Sequence, residues 1–185
     1  MKKIAIDIGH GNENRLPGVY DPGVIHGGIR EADICLTFGI ELEATLLARD
    51  IPIFMTRTTN ETPCPVGKRA SRAKKADCTH LVSLHCNSFT NHHTNGVEVL
   101  YREETKDKPL ARIMVNAIAN ATGLKNRGVF KRTDLAVLKF TPGPAVLIEL
   151  GFLSNKNDRE KLLDPTIHRK IVQTIADVLT LEVRP

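Results

Sequence analysis

Two histidines and two glutamates in this chain stand where they can act on one substrate. His10 closes the apolar run IAIDIGH, His85 closes HLVSLH, and Glu149 falls near the end of AVLIEL. Imidazoles and carboxylates are ligands of catalytic zinc and also the usual carriers of protons, so the set permits metal-assisted hydrolysis. Singly, each has a plain structural alternative as a hydrogen-bonded residue at a strand end. Helix geometry adds Glu31. Residues 31, 34, 35 and 38 share one helical face, and Ile34, Cys35 and Phe38 turn that face toward the core. An inward carboxylate needs a partner. The helix dipole with Arg30 or a loop amide would serve, and so would a metal shared with two histidines, since two His, one Glu and a water make a standard catalytic zinc set.

Strand alternation separates the neighbours in HLVSLHC. Leu81, Ser83 and His85 share one face, whereas Val82, Leu84 and Cys86 share the other. His85 and Cys86 therefore do not reach one metal, and with His85 as ligand Cys86 belongs to the core. Glu149 lies in a run that is apolar on both faces, the mark of a central strand. Burial there raises a carboxyl pKa and suits a general base and acid; the alternative is a carboxylate tied to loop amides. Asn87 is a candidate to orient substrate or to form a turn. Asp7 and Ser83 are candidates to orient the ligands from behind, with ordinary buried hydrogen bonding as the alternative.

These residues need a frame, and the pattern supplies one. Apolar runs alternate with helical periods, which predicts an α/β sheet with parallel strands. Strands are expected at KKIAIDIG, IPIFMTR, HLVSLH, NGVEVLYR and AVLIEL, with short ones at NRGVFKR and LAVLKF. Helices are expected over 29–49, after Pro65, over 107–122 up to Gly123, and over 166–182. His10, His85 and Glu149 then fall at the carboxyl ends of strands, where open α/β sheets bind ligands. The glycine-rich stretch 10–28 has no period, and a loop of that length is usually functional or disordered.

The 185 residues fit one domain, 1–185. No stretch is apolar enough to span a bilayer, so membrane insertion is not expected. MKKIAIDIGH is too short and too polar for an export signal, which leaves synthesis in the cytoplasm and release by other means, or excision from a secreted protein. Cys35, Cys64, Cys78 and Cys86 show no paired spacing and read as free thiols. The net charge of +5 is compatible with nucleic acid, with an anionic polymer such as a bacterial wall, or with no charged partner at all. Nucleic acid is not expected, because the densest basic stretch, KRASRAKKA, lacks aromatics and reads as a solvated helix face.

Taken together, IDIGHG, DPGVIHGGIRE, MTR, KRASRAKKA, LVSLHCNS, GVEVLY, NRGV and LAVLKFTPGPAVLIELGFLSNKND resemble the zinc-dependent N-acetylmuramoyl-L-alanine amidases of the amidase-3 type, from residue 3 to about 181. The resemblance implies a three-layer α/β fold, with a mixed, mostly parallel six-stranded sheet flanked by helices. It implies one Zn2+ per chain held by His10, Glu31 and His85, with Glu149 as acid/base. The implied reaction cuts the amide between N-acetylmuramic acid and L-alanine in peptidoglycan; the chain is expected to act as a monomer. A zinc peptidase acting on a stem-peptide bond is the alternative, and a non-catalytic wall-binding module a more distant one. The chain departs from the usual DPGHGG opening by an insertion before DPG, which would reshape one wall of the cleft. It also lacks a long insertion before the ExGF strand of the kind that autoinhibits some members, so an open cleft is expected.

Overall fold

The computed structural model describes residues 2–184. Six strands form one sheet: β1 (Ile4–Ile8), β2 (Ile53–Met55), β3 (His80–Asn87), β4 (Val97–Tyr101), β5 (Asn126–Lys131) and β6 (Ala145–Phe152). Their order across the sheet is β2-β1-β3-β6-β4-β5. The first four of that row are mutually parallel, β4 runs antiparallel to β6, and β5 pairs parallel with β4. The sheet is thus mixed and mostly parallel, as expected.

Helices cover both faces unequally. On one face, α1 (Glu31–Leu47), α3 (Lys108–Thr122) and α5 (Pro165–Val183) bury a large core that includes Ile4, Ile6, Ile8, Val82, Leu84 and Cys86. The other face is thinner. There α2 (Arg69–Lys75) and the segment around Val137, Leu138 and Phe140 cover Ala5, Leu81, Ala145 and Leu147. By alternation Asp7, Ser83, His85 and Glu149 continue that thinner face toward the carboxyl end of the sheet. The site is therefore framed by little more than one helix and loops, which leaves room for a cleft.

Helix ends follow the local chemistry. Gly123 stops α3 with a left-handed φ of 65°, the conformation that glycine adopts without a Cβ penalty. Asp164 starts α5 by accepting from the Thr166 and Ile167 amides, with Pro165 in the first turn. The start of α1 is satisfied differently. Arg30 gives no side-chain cap; instead the Glu31 and Ala32 amides donate to the Val24 and Pro22 carbonyls. That ties the glycine-rich loop to the first turn of α1.

Three readings of the sequence need correction. LAVLKF is not a strand. Val137–Lys139 is a single 3-10 turn whose Val137 and Leu138 are buried, and periodicity cannot separate such a short apolar run from a strand. Secondly, an unexpected helix α4 (Lys156–Leu163) follows β6. Its residues are mostly polar and carry no apolar period, and it begins at Asn155, whose side chain accepts from the Asp158 amide. Thirdly, KRASRAKKA is not uniformly solvated: Lys68, Lys74 and Lys75 are exposed, but Arg69 is fully buried. The stretch 10–28 carries two small ladders, Gly11–Asn12 with Tyr20–Asp21 and Ile25–His26 with Ile29–Arg30. Among the described residues no helix is long and apolar enough to cross a membrane.

Candidate metal centre

His10, Glu31 and His85 converge, with one donor atom of each within 4.8 Å of the others. Glu31 sits in the middle. Its Oε2 lies 3.0 Å from His10 Nε2 and its Oε1 lies 3.0 Å from His85 Nδ1. The same two oxygens accept from the Val24 amide at 3.1 Å and the Cys86 amide at 3.0 Å. Burial opposes ionisation of Glu31, but the hydrogen bonds from both histidines outweigh it and hold the carboxyl far below the usual range.

His10 is fixed from behind by Asp21, whose Oδ2 is 3.1 Å from His10 Nδ1. Asp21 is itself held by the Asn14 side chain at 2.6 Å and the Gly23 amide at 2.8 Å. Partial burial works against ionisation of Asp21, yet these donors and His10 lower its pKa. An ionised carboxylate only accepts, so His10 donates from Nδ1 to Asp21 and from Nε2 to Glu31. A histidine braced by a carboxylate on its far nitrogen is the arrangement that orients metal ligands.

The backbone at this corner is strained and pinned. His10 has a φ of 58°, uncommon for a residue with a side chain. Two buried arginines hold the carbonyls around it. Arg57 donates to Gly9 at 2.7 Å and to Ala32 at 2.8 Å. Arg69 donates to the carbonyls of Ile8 and His10, the latter at 2.8 Å, and to Asn14 Oδ1 at 2.8 Å. Two glycines permit the close packing. A Cβ on Gly9 would lie 2.5 Å from His85 Cε1, and one on Gly23, whose φ is 68°, would lie 2.6 Å from Glu31 Oε2.

Asp7 and Ser83 form a buried network beneath the site. Ser83 donates to Asp7 Oδ2 at 2.6 Å, Thr56 donates to Oδ1 at 2.8 Å, and Arg69 pairs with Oδ1 at 3.2 Å. Neither residue bonds a histidine ring. Asp7 reaches His10 only through Arg69, which touches both. Burial opposes the charge on Asp7, and Arg69 with the two hydroxyls overcomes it, so its pKa is lowered.

Glu149 stands one strand away. It is the register partner of His85 on β3 and of Glu98 on β4. Its Oε2 is buried and has no hydrogen-bond partner, so the loop amides considered as its alternative partners are not there. Burial, then the charges of Glu31 and Glu98, push its pKa well above the ordinary carboxylate value. Asn87 lines the cleft, with its Nδ2 donating to Glu98 at 2.8 Å and its Oδ1 accepting from the Ser88 amide. Cys86 is buried in the opposite layer. Contact with Cys35, together with burial, keeps its thiol protonated.

Sequence reasoning missed Asp21, Asn14, Arg57 and Arg69. Arg69 had a legible signal, because it shares a helical face with the small residues Ala73 and Ala76. The pairing of Asp21 with His10 depends on a loop conformation that no periodicity encodes.

A cleft of about 540 Å³ opens over these groups, lined by His10, Glu31, His85 and Glu149 and flanked by Arg15 and Arg132. Fold and site together define an α/β protein with a His-Glu-His cluster around a buried Glu31 and an adjacent carboxyl of raised pKa, at the carboxyl ends of parallel strands. The family model described as N-acetylmuramoyl-L-alanine amidase matches residues 4–180, and the chain belongs to that family. It is 29% identical over 177 residues to the amidase LytC of Bacillus subtilis, covering 94% of this chain and 34% of that protein. It is 30% identical to the probable cell wall amidase LytH of Staphylococcus epidermidis, covering 96% of this chain and 57% of that one. The chain thus spans between a third and three-fifths of these relatives. The catalytic domain of the amidase CwlV from Bacillus (Paenibacillus) polymyxa var. colistinus superposes over 100% of both chains, with a TM-score of 0.88 and 30% identity.

Proposed function

We propose that residues 1–185 act as a zinc-dependent amidase unit that cuts the amide between the lactyl group of N-acetylmuramic acid and L-alanine in peptidoglycan. The observation that carries the reading is Glu149 Oε2, a buried oxygen with no partner, on the strand next to His85. A carboxyl oxygen buried without a partner costs stability, and a proton-transfer role gives a reason for keeping it there.

The residues present fit a zinc ion. Two imidazole nitrogens and one carboxylate make a catalytic donor set that leaves a position free, and Asp21 braces His10 as such ligands are usually braced. His10 Nε2, Glu31 and His85 Nδ1 would hold the ion. Zinc supplies Lewis acidity toward a carbonyl oxygen and toward water.

The chain's own residues do the rest. Glu149 Oε2 accepts the proton of the attacking water and passes it to the departing amine. Its raised pKa suits both halves of that transfer, because the acid form is stable enough to persist and still able to donate. Glu98 is kept from competing by Arg127 at 2.7 Å and Asn87 at 2.8 Å. Arg57, Arg69 and Asp21 hold His10 in its strained conformation, so ligand order is established before substrate arrives.

Product analysis tests the reading. Digestion of purified peptidoglycan should expose L-alanine amino termini and intact lactyl carboxyls. New termini at another residue of the stem would assign the chain to the peptidases instead.

A further inference from the structure

We propose that Arg132 forms a carboxylate-binding subsite on the leaving-group side of the cleft, selecting stem peptides whose second residue bears a free carboxylate. The inference rests on the amidase reading above and extends it to substrate preference.

Strand order gives the direction. Crossing the sheet from β1 through β3, β6 and β4 to β5, the site presents His10, His85, Glu149, Glu98 and then the cations of residues 127–132. Glu149 protonates the departing amine, so the amine nitrogen faces Glu149. The candidate metal ligands lie on the β1 and β3 side, which places the scissile carbonyl there. The leaving peptide then extends the other way, over β4 and β5. A second hollow of about 450 Å³ lies in that direction, and it is bounded by Glu149, Glu98, Arg127, Phe130, Lys131 and Arg132.

The charges in this hollow are not equivalent. Arg127 is occupied by Glu98 at 2.7 Å and rests over the Phe152 ring at 4.9 Å. That pair removes the acid that would repel a carboxylate. Lys131 sits 3.7 Å from Glu104. Arg132 is placed by its backbone, whose amide donates to the Tyr101 carbonyl at 2.7 Å. It lines both the main cleft and the second hollow. Its side-chain partner is Asp134, two residues on, at 2.8 and 2.7 Å, and both side chains are exposed. Exposed pairs of this kind contribute little, so a substrate carboxylate can take over the guanidinium fork, whose planar geometry fits it. The carboxyl of L-alanine is consumed in the next amide bond, so the first free carboxylate a stem peptide offers is on its second residue.

Two muramoyl tripeptides separate the possibilities, one with γ-linked D-glutamate bearing a free α-carboxylate, the other with its α-amide. The zinc-loaded chain should favour the carboxylate peptide in kcat/KM by roughly tenfold or more, the worth of a charge-assisted pair. Arg132→Gln should bring that ratio near one, acting through KM for the carboxylate peptide. Arg132→Lys should keep part of it, and Asp134→Asn should raise it. Titration of both peptides into Glu149→Gln protein should give the same preference in Kd. A wild-type ratio near one, or a ratio that survives Arg132→Gln, overturns the subsite and leaves the amidase reading standing. Cleavage of neither peptide, with no L-alanine termini released from peptidoglycan, overturns the amidase reading and the subsite with it.

Discussion

Glu149 and His85 face the same cleft as register partners on adjacent parallel strands, β6 and β3. The pairing places a carboxyl of raised pKa one strand spacing from a candidate metal ligand, on the sheet face with the thinner cover. Parallel pairing at the carboxyl ends of two central strands is what makes the placement rigid. Neither residue depends on a loop for its position.

Replacing Glu149 by Gln keeps the shape and removes the proton carrier. Turnover of peptidoglycan should fall roughly 10²–10⁴-fold, the usual worth of a positioned acid/base, while zinc content stays near one ion per chain. Metal analysis beside the rate measurement separates the two. Retained activity would remove Glu149 from the mechanism.

His85 and Cys86 are neighbours in sequence and opposites in the fold. His85→Ala should lose bound zinc and activity together. Cys86→Ser should keep both, because its side chain lies in the far core layer with Cys35. Emission spectroscopy of zinc in the purified variants reads the difference, and the reverse pattern would exchange their roles.

The Asp7–Arg69 pair makes a pH prediction. Asp7 has a lowered pKa in the folded protein, so it contributes stability that is present above the unfolded value of about 3.9. That contribution is lost as pH falls through the lower folded value. The Tm gap between wild type and Asp7→Asn should therefore be widest at neutral pH and narrow in acid. Arg69→Ala, which leaves the buried carboxylate unpaired, should cost about 3–5 kcal/mol near neutral pH by denaturant unfolding. A gap that widens in acid would mean the pair has the opposite linkage.

Much of this arrangement was legible in the sequence because it follows from short periods. The even period of HLVSLHC separates His85 from Cys86, and the helical spacing of Glu31, Ile34, Cys35 and Phe38 turns Glu31 inward. The structure brings His10, Glu31 and His85 together and sets Glu149 beside them. What was not legible depends on long-range hydrogen bonds. Arg69 sits among lysines that face water, and only the tertiary fold carries it to Asp7 and the His10 carbonyl. The 3-10 turn at Val137–Lys139 has the apolar composition of a strand. It packs under α2 instead of joining the sheet, a choice that local pattern does not encode.

Asp21 was missed for the same reason, and it gives a further test. Asp21→Asn removes the charge behind His10 Nδ1 while keeping a similar shape. Zinc affinity should fall about 10–100-fold, as for other residues that orient metal ligands. Competition with a chelator of known affinity measures it. An unchanged affinity would reduce Asp21 to a loop tie.

We propose that a metal held by His10, Glu31 and His85 is needed to cut the muramoyl–L-alanine amide. The most direct measurement is release of L-alanine amino termini from purified peptidoglycan by chelator-treated protein, before and after one equivalent of zinc is restored. Release should be negligible without metal and should recover on adding zinc. His85→Ala protein should gain nothing from the same addition. Undiminished release from metal-free wild type, or full recovery by His85→Ala, would contradict it.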